Sequence, residues 1–173
     1  MYKLDGAGGP DWGDYSDILV NGMSCHLERS NGRIQLERTG PFVPPITFPG
    51  IGDIVFTDFL KREYETSGLT GLEFRSVDKA HIVRLEWELW DREADEPQEY
   101  PDGGEPEGYL LDQPHSPEVS GLLGDLWEAC PKQTTSVESG TDWFRINHHN
   151  FVSEKAKTWL ERMAGEWVAF ESV

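Results

Sequence analysis

Two segments of this chain repeat one structural phrase, and the repetition constrains the fold more than any other feature. VFTDFLKREYETSGLTGLEFRSV ends at Val77 and FVSEKAKTWLERMAGEWVAFESV ends at Val173, an offset of 96 positions. In each, a hydroxyl residue suited to helix capping (Thr57, Ser153) precedes an acid (Asp58, Glu154), where the free N–H groups of a first helical turn favour negative charge. In the first copy Phe56, Phe59, Leu60 and Tyr64 form one apolar stripe at helical spacing, leaving Lys61, Arg62 and Glu65 for solvent. Ala156, Trp159, Leu160 and Met163 do the same in the second. Gly68 and Gly165 stand where each helix should stop. Leu72 and Phe74, then Val168 and Phe170, alternate as the inward face of a half-buried strand.

The identities at this offset are Lys61/Lys157, Glu65/Glu161, Phe74/Phe170, Ser76/Ser172 and Val77/Val173. Caps, stripe, turn and strand are all demands of packing, and neither copy holds a catalytic constellation. The pattern predicts an α+β fold: two helix–turn–strand units with a mainly antiparallel sheet and long loops in a single compact chain.

A chain of 173 residues has the size of one domain. Residues 1–173 are read as that domain. Possible sub-units are 1–90, an N-terminal hairpin plus the first helix–strand unit, and 109–173, the second unit. Residues 1–16, rich in Gly and Asp, read as a loop or loosely docked arm. DILVNGMSCHLERSNGRIQLERTG suggests a hairpin, with Asn31 and Gly32 supplying the positive φ values of a tight turn. The proline-dense PFVPPITFPGIGD is a connector, unsuited to a central strand or helix interior.

HIVRLEWELWD alternates as a strand, with Val83, Leu85, Trp87 and Leu89 on one face and Arg84, Glu86 and Glu88 on the other. SPEVSGLLGDLWEAC reads as a short helix opening at Ser116 and Pro117, weakened by Gly121 and Gly124. DWFRI is a short strand and NHHN a turn. The stretch 91–108, with eight acids against one base, three Pro and three Gly, is a long exposed acidic loop joining the two sub-units.

Charge narrows the partners. Asp plus Glu number 32 against 15 Lys plus Arg, a formal net charge of −17. Such a field repels nucleic acid and anionic membrane and attracts basic partners, although solubility alone would also account for it. No signal segment and no membrane-spanning apolar run is visible, and Cys25 and Cys130 make no disulfide framework. These features predict a cytoplasmic protein.

The sequence offers little for catalysis. His148 and His149 are adjacent, so on an extended segment they face opposite ways and serve one metal poorly. The same holds for Cys25 and His26 as a thiol–imidazole pair. GIGD and DGAGGP lack the strand-to-helix context of a phosphate loop, and the acidic stretch lacks the order of a calcium loop. Glu86 and Glu88 could serve acid–base work but fit solvated charges on a strand face better. No enzyme activity, metal or cofactor is predicted.

Recognition of a protein fits the residues better. Trp90 lies on the Glu86/Glu88 face, either as an aromatic anchor inside an acidic rim or packed under the loop that follows. The candidate partner-binding residues are therefore Glu86, Glu88, Trp90, Asp91, Glu93, Asp95, Glu96, Asp102, Glu105 and Glu107.

The run DIVFTDFLKREYETSGLTGLEFRSV, a later Trp-rich strand, and DWFRINHHNFVSEKAKTWLERMAGEWVAFESV, in that order, resemble bacterial immunity proteins of polymorphic toxin systems. The likeness spans residues 34–77 and 141–173 and is to the double-CxxCG type and related immunity families. Some of those relatives carry two zinc-binding CxxCG motifs; this chain lacks them, so no zinc site is carried over. The resemblance implies a non-enzymatic protein that binds and neutralises a cognate toxin domain. The acidic surface would then cover a basic active site or groove. The alternatives are an acidic interaction or regulatory module with no toxin, and a small enzyme using carboxylates or the His148/His149 turn.

Overall fold

The computed structural model describes residues 1–7, 16–40, 42–85, 107–135 and 140–173. Thr57 caps helix α2 (Asp58–Ser67) by accepting from the Leu60 N–H, and Ser153 caps α5 (Glu154–Ala164) by accepting from Ala156 N–H. Each hydroxyl satisfies one N–H that the first helical turn leaves without a partner. Helix α2 begins at Asp58, so Phe56 belongs not to its stripe but to the preceding strand β4 (Val55–Thr57). Phe59 is exposed, and Leu60 and Tyr64 carry the burial. Gly68 closes α2 in the left-handed conformation at φ 71°. Gly165 does not: at φ −54° the chain runs on into a 3-10 turn (Gly165–Trp167) before strand β10 (Val168–Ser172).

The two segments share contacts as well as pattern. Lys61 pairs with Glu65, and Lys157 with Glu161, each one helical turn apart. Lys61 Nζ stands 5.6 Å from the Phe74 ring centroid, and Lys157 Nζ 5.4 Å from that of Phe170. The identities at offset 96 thus become an i,i+4 ion pair whose lysine covers an aromatic ring on the following strand.

The fold is α+β with mostly antiparallel strands. Its sheet contains β1 (Tyr2–Gly6), β3 (Ile46–Thr47), β4, β5 (Leu72–Ser76), β7 (Leu126–Gln133), β8 (Trp143–Ile146), β9 (His149–Val152) and β10. The order is β10-β1-β9-β8-β7-β4-β3, with β5 paired to β7 off this path. Residues 2–6 are therefore no loose arm. Leu4 is buried, and the strand pairs with β10 on one side and β9 on the other. Only one large aliphatic residue marks a strand that neighbours hold from both edges.

The stretch read as one helix from Ser116 divides. Helix α4 (Pro117–Leu122) is capped by Ser116 and ends before Gly124, after which β7 forms a ladder with β4, β5 and β8. Sheet neighbours on both edges of β7 override its weak local preference. The proline-rich connector contributes only the two-residue edge strand β3, in keeping with its missing N–H groups.

Both α2 and α5 bury their stripes in one cluster with Leu4, Phe56, Trp143 and Val168. Tyr64 sits at its centre, with ring centroids 6.0 Å from Trp159 and 6.4 Å from Trp143 in edge-to-face geometry. Val55, alternate to Phe56 on β4, joins Ile34, Leu36, Val77 and Leu126 in a separate cluster. That cluster leads to a second layer, the parallel pair β2 (Gln35–Thr39) and β6 (Asp78–Val83), packed with α1 (Ser16–Val20), α3 (Glu107–Asp112) and α4.

The Asn31-Gly32 turn forms with φ values of 51° and 78°. Its arms make only the bridges Ser30↔Arg33 and Met23↔Glu37, and residues 18–20 are helical. The expected hairpin gives way because β2 takes its ladder from β6 instead. Strand β6 itself closes at Val83; Leu85 is buried, and Trp87 and Leu89 lie outside the described residues.

Candidate interaction surface

The residues predicted to bind a partner are not brought to view. Glu86, Glu88, Trp90, Asp91, Glu93, Asp95, Glu96, Asp102 and Glu105 lie outside the described residues, as does the Glu107 side chain at the head of α3. The elements on either side are placed: β6 and α3 both pack against β2.

The described surface has its own charge asymmetry. Arg29, Arg33, Lys61, Arg62 and Lys157 are ion-paired to Glu128, Asp78, Glu65, Asp58 and Glu161 within the molecule, and Lys3 to Asp5. Four more bases donate to backbone carbonyls: Arg38 to Leu19, Val20 and Phe42, Lys79 to Ser120 and Gly124, Arg145 to Gly52, and Lys155 to Gly68. By contrast Glu28, Glu73, Asp112, Glu118, Asp125, Glu166 and Glu171 are exposed, with no ion-pair partner among the described residues. Ten bases are thus engaged within the molecule while these seven carboxylates face solvent, although Arg75 and Arg162 are exposed bases as well.

Arg38 is the extreme case. Its guanidinium is fully buried, with carbonyls as its acceptors among the described residues, and burial lowers it to about 10. It closes the C-terminal end of α1, where unpaired carbonyls attract a cation. Beside it on β2, Glu37 is 3% exposed and flanked by two imidazoles. His26 Nδ1 lies 3.4 Å from Oε2, and His81 Nδ1 3.8 Å from Oε1, while His81 Nε2 reaches the Gln113 carbonyl at 2.8 Å. Sequence reasoning missed this carboxylate because Glu37 and His81 become neighbours only through the parallel pairing of β2 with β6.

A second charged network joins four separate segments. Arg29 makes a bidentate pair with Glu128 on β7, both bonds 2.9 Å, and reaches Asp53 Oδ1 at 2.8 Å. The Glu128 bond is the main influence raising the Arg29 pKa. Asp53 Oδ2 also accepts from Ser24 Oγ at 2.9 Å. On the other side of the same turn, Arg145 and Asn150 both donate to the Gly52 carbonyl, and Arg145 Nε donates to Asn150 Oδ1 at 2.8 Å. Burial lowers the Arg145 pKa, opposed in part by Asp53. The network holds residues 50–53 between the β8–β9 hairpin and the loop that follows α1.

Of the candidates for chemistry, Glu86 and Glu88 lie outside the described residues. His148 is an exposed turn residue and His149 the exposed first residue of β9. Cys25 is exposed and His26 turns to Glu37, while burial and then Glu128 push the Cys130 thiol up to about 11. Among the described residues no group of three or more His, Cys, Asp or Glu side chains is arranged to hold a metal ion. No helix among them is long and apolar enough to cross a membrane. Comparison with protein-family models, with curated proteins and with solved structures finds no match.

Proposed function

We propose that this protein is a non-enzymatic immunity protein, built from two helix–turn–strand units, that binds a cognate toxin domain in the cytoplasm and blocks it with an acidic surface. The charge imbalance, 32 acids against 15 bases, is the observation that carries this reading. With ten bases engaged within the molecule and seven exposed acids lacking an ion-pair partner among the described residues, the molecule presents a carboxylate-rich exterior at a net charge of −17. Such an exterior steers a basic protein groove into contact and excludes anionic surfaces. If the toxin acts on nucleic acid, the acids at Asp91, Glu93, Asp95, Glu96, Asp102, Glu105 and Glu107 would occupy its phosphate positions.

Co-expression with the product of the adjacent gene tests the class: growth should be rescued and a complex should co-purify. Failure of both would remove the immunity reading. With a complex in hand, replacing the acids of residues 91–107 by Asn or Gln should slow association markedly at low salt. Unchanged rates would exclude that segment as the contact.

A further inference from the structure

The main sheet has unlike edges. At one end stands β3, two residues long and set among Pro44, Pro45 and Pro49, a short proline-flanked strand of the kind that keeps an edge from pairing. Off the main path, β5 is protected differently: the Leu72 N–H donates to the Tyr64 hydroxyl, and Lys61 covers the Phe74 ring. At the far end stands β10, whose five residues run in unbroken register along β1 with no proline, lysine or bulge. Of these three edges β10 alone lacks such protection.

The backbone bonds to β1 fix which groups of β10 are left over. The Ala7 N–H donates to the Trp167 carbonyl, and the Val173 N–H donates to the Met1 carbonyl. Odd-numbered residues of β10 therefore turn their backbone groups toward β1. The N–H and C=O groups of Val168, Phe170 and Ser172 point the other way, and no described strand pairs with them. Alternating donors and acceptors in such a row are a template for another strand.

We propose that this edge receives the same edge of a second copy, antiparallel and centred on Phe170. A two-fold axis there sets Phe170 opposite its twin, Val168 opposite Ser172 and Ala169 opposite Glu171. Every outward N–H of one copy then meets an outward carbonyl of the other. Neighbouring registers do worse: an axis at Ala169 leaves Ser172 unpaired, and one at Glu171 sets that carboxylate against itself. Phe170 is half-buried, its ring centroid 6.5 Å from that of Tyr2, and the pairing buries it further against an aromatic partner. Self-complementarity of this kind is what a two-fold interface requires. Because the occupant is the chain itself, the pairing does not require a toxin.

Sedimentation equilibrium of the full chain over a dilution series tests the pairing, with melting temperature as a check on the fold. The wild type should reach twice the 19.6 kDa chain mass, with a dissociation constant on the order of micromolar. Raising salt should favour the dimer, since two copies of net charge −17 repel one another. Ser172→Pro removes one outward donor from each copy and no bond to β1. It should weaken dimerisation about tenfold while the monomer melts as before. At the exposed Ala169, Ala169→Glu sets like charges opposite each other on both sides of the axis and should weaken the dimer roughly tenfold, whereas Ala169→Lys faces Glu171 and should tighten it. A wild type that stays monomeric at about 100 μM, far above such a constant, refutes the pairing. A dimer that Ser172→Pro and Ala169→Glu both leave intact, or that dissociates as salt rises, is made by another surface and refutes it equally.

Discussion

Removing Arg29 should cost more than its surface position suggests. The guanidinium side chain is 40% exposed, but the Glu128 carboxylate it holds is only 6% exposed and sits on β7. Two unit charges 4 Å apart attract by about 4 kcal/mol at an effective dielectric of 20, and exposed pairs in water give about 1 kcal/mol or less. A pair with one buried partner and one half-wet partner falls between these limits, so Arg29→Met should cost ~2–3 kcal/mol. For a chain of this size that is a fall in melting temperature of roughly 5–10 °C.

Glu128→Gln should cost about 1–2 kcal/mol, because the freed guanidinium keeps Asp53 and water. The double variant should be scarcely worse than Arg29→Met, giving a coupling near 1.5 kcal/mol in a double-mutant cycle. Urea unfolding followed by circular dichroism measures all four corners. Repeating the cycle in 1 M salt should keep most of the coupling, since screening reaches a partly buried pair weakly. Costs that simply add, within about 0.3 kcal/mol, would show that the two side chains do not hold one another and would remove the network as the support of the 50–53 turn.

Two glycines should separate sharply: Gly71 has φ 104° and its Cβ would drive into the Trp143 carbonyl, whereas Gly68 has φ 71° and open space. Gly71→Ala should therefore cost roughly 3 kcal/mol or more and Gly68→Ala about 1 kcal/mol, read as shifts in urea midpoint. Tyr64 is raised to about 12 by burial and accepts the Leu72 N–H at 3.1 Å. Its proton stays on in the folded chain after the unfolded chain has lost it near ~10, so the stability it contributes is full below that pH and disappears as pH rises through about 12. Tyr64→Phe should lower stability by about 1 kcal/mol at neutral pH and flatten that alkaline decline. Alkylation at pH 8 should label exposed Cys25 and spare Cys130, whose thiol is pushed up to about 11; equal labelling of both in the folded protein would contradict its burial.

What the sequence disclosed and what it hid divide along a physical line. Caps, turns and helical stripes are local, so Thr57, Ser153, Ser116 and the Asn31-Gly32 turn could be read directly. Strands held from both edges could not. In β7 the buried Glu128 breaks any alternation, and its partner Arg29 is far away in the chain. In β1 the sequence YKLDG carries too few apolar residues to announce a strand.

The clamp on residues 50–53 was equally illegible. GIGD reads as the end of a connector without the context of a phosphate loop, and nothing local indicates that Arg145, Asn150 and Ser24 converge on it. The Phe56 misassignment has another cause: an apolar residue just ahead of a helix matches the helical period as well as the strand's.

The position of β1 between β9 and β10 also governs how the molecule must be made. Residues 2–6 are the first of these to leave the ribosome, yet both of their hydrogen-bonding edges are completed by strands from the other end of the described chain. Until residues 149–172 have emerged, Leu4 has no pocket and two strand edges stay open. Pairing across so long a separation is slow and leaves the nascent sheet open to other chains. Synthesis and docking therefore cannot overlap here, and the β1 strand waits for the last ladder to close around it.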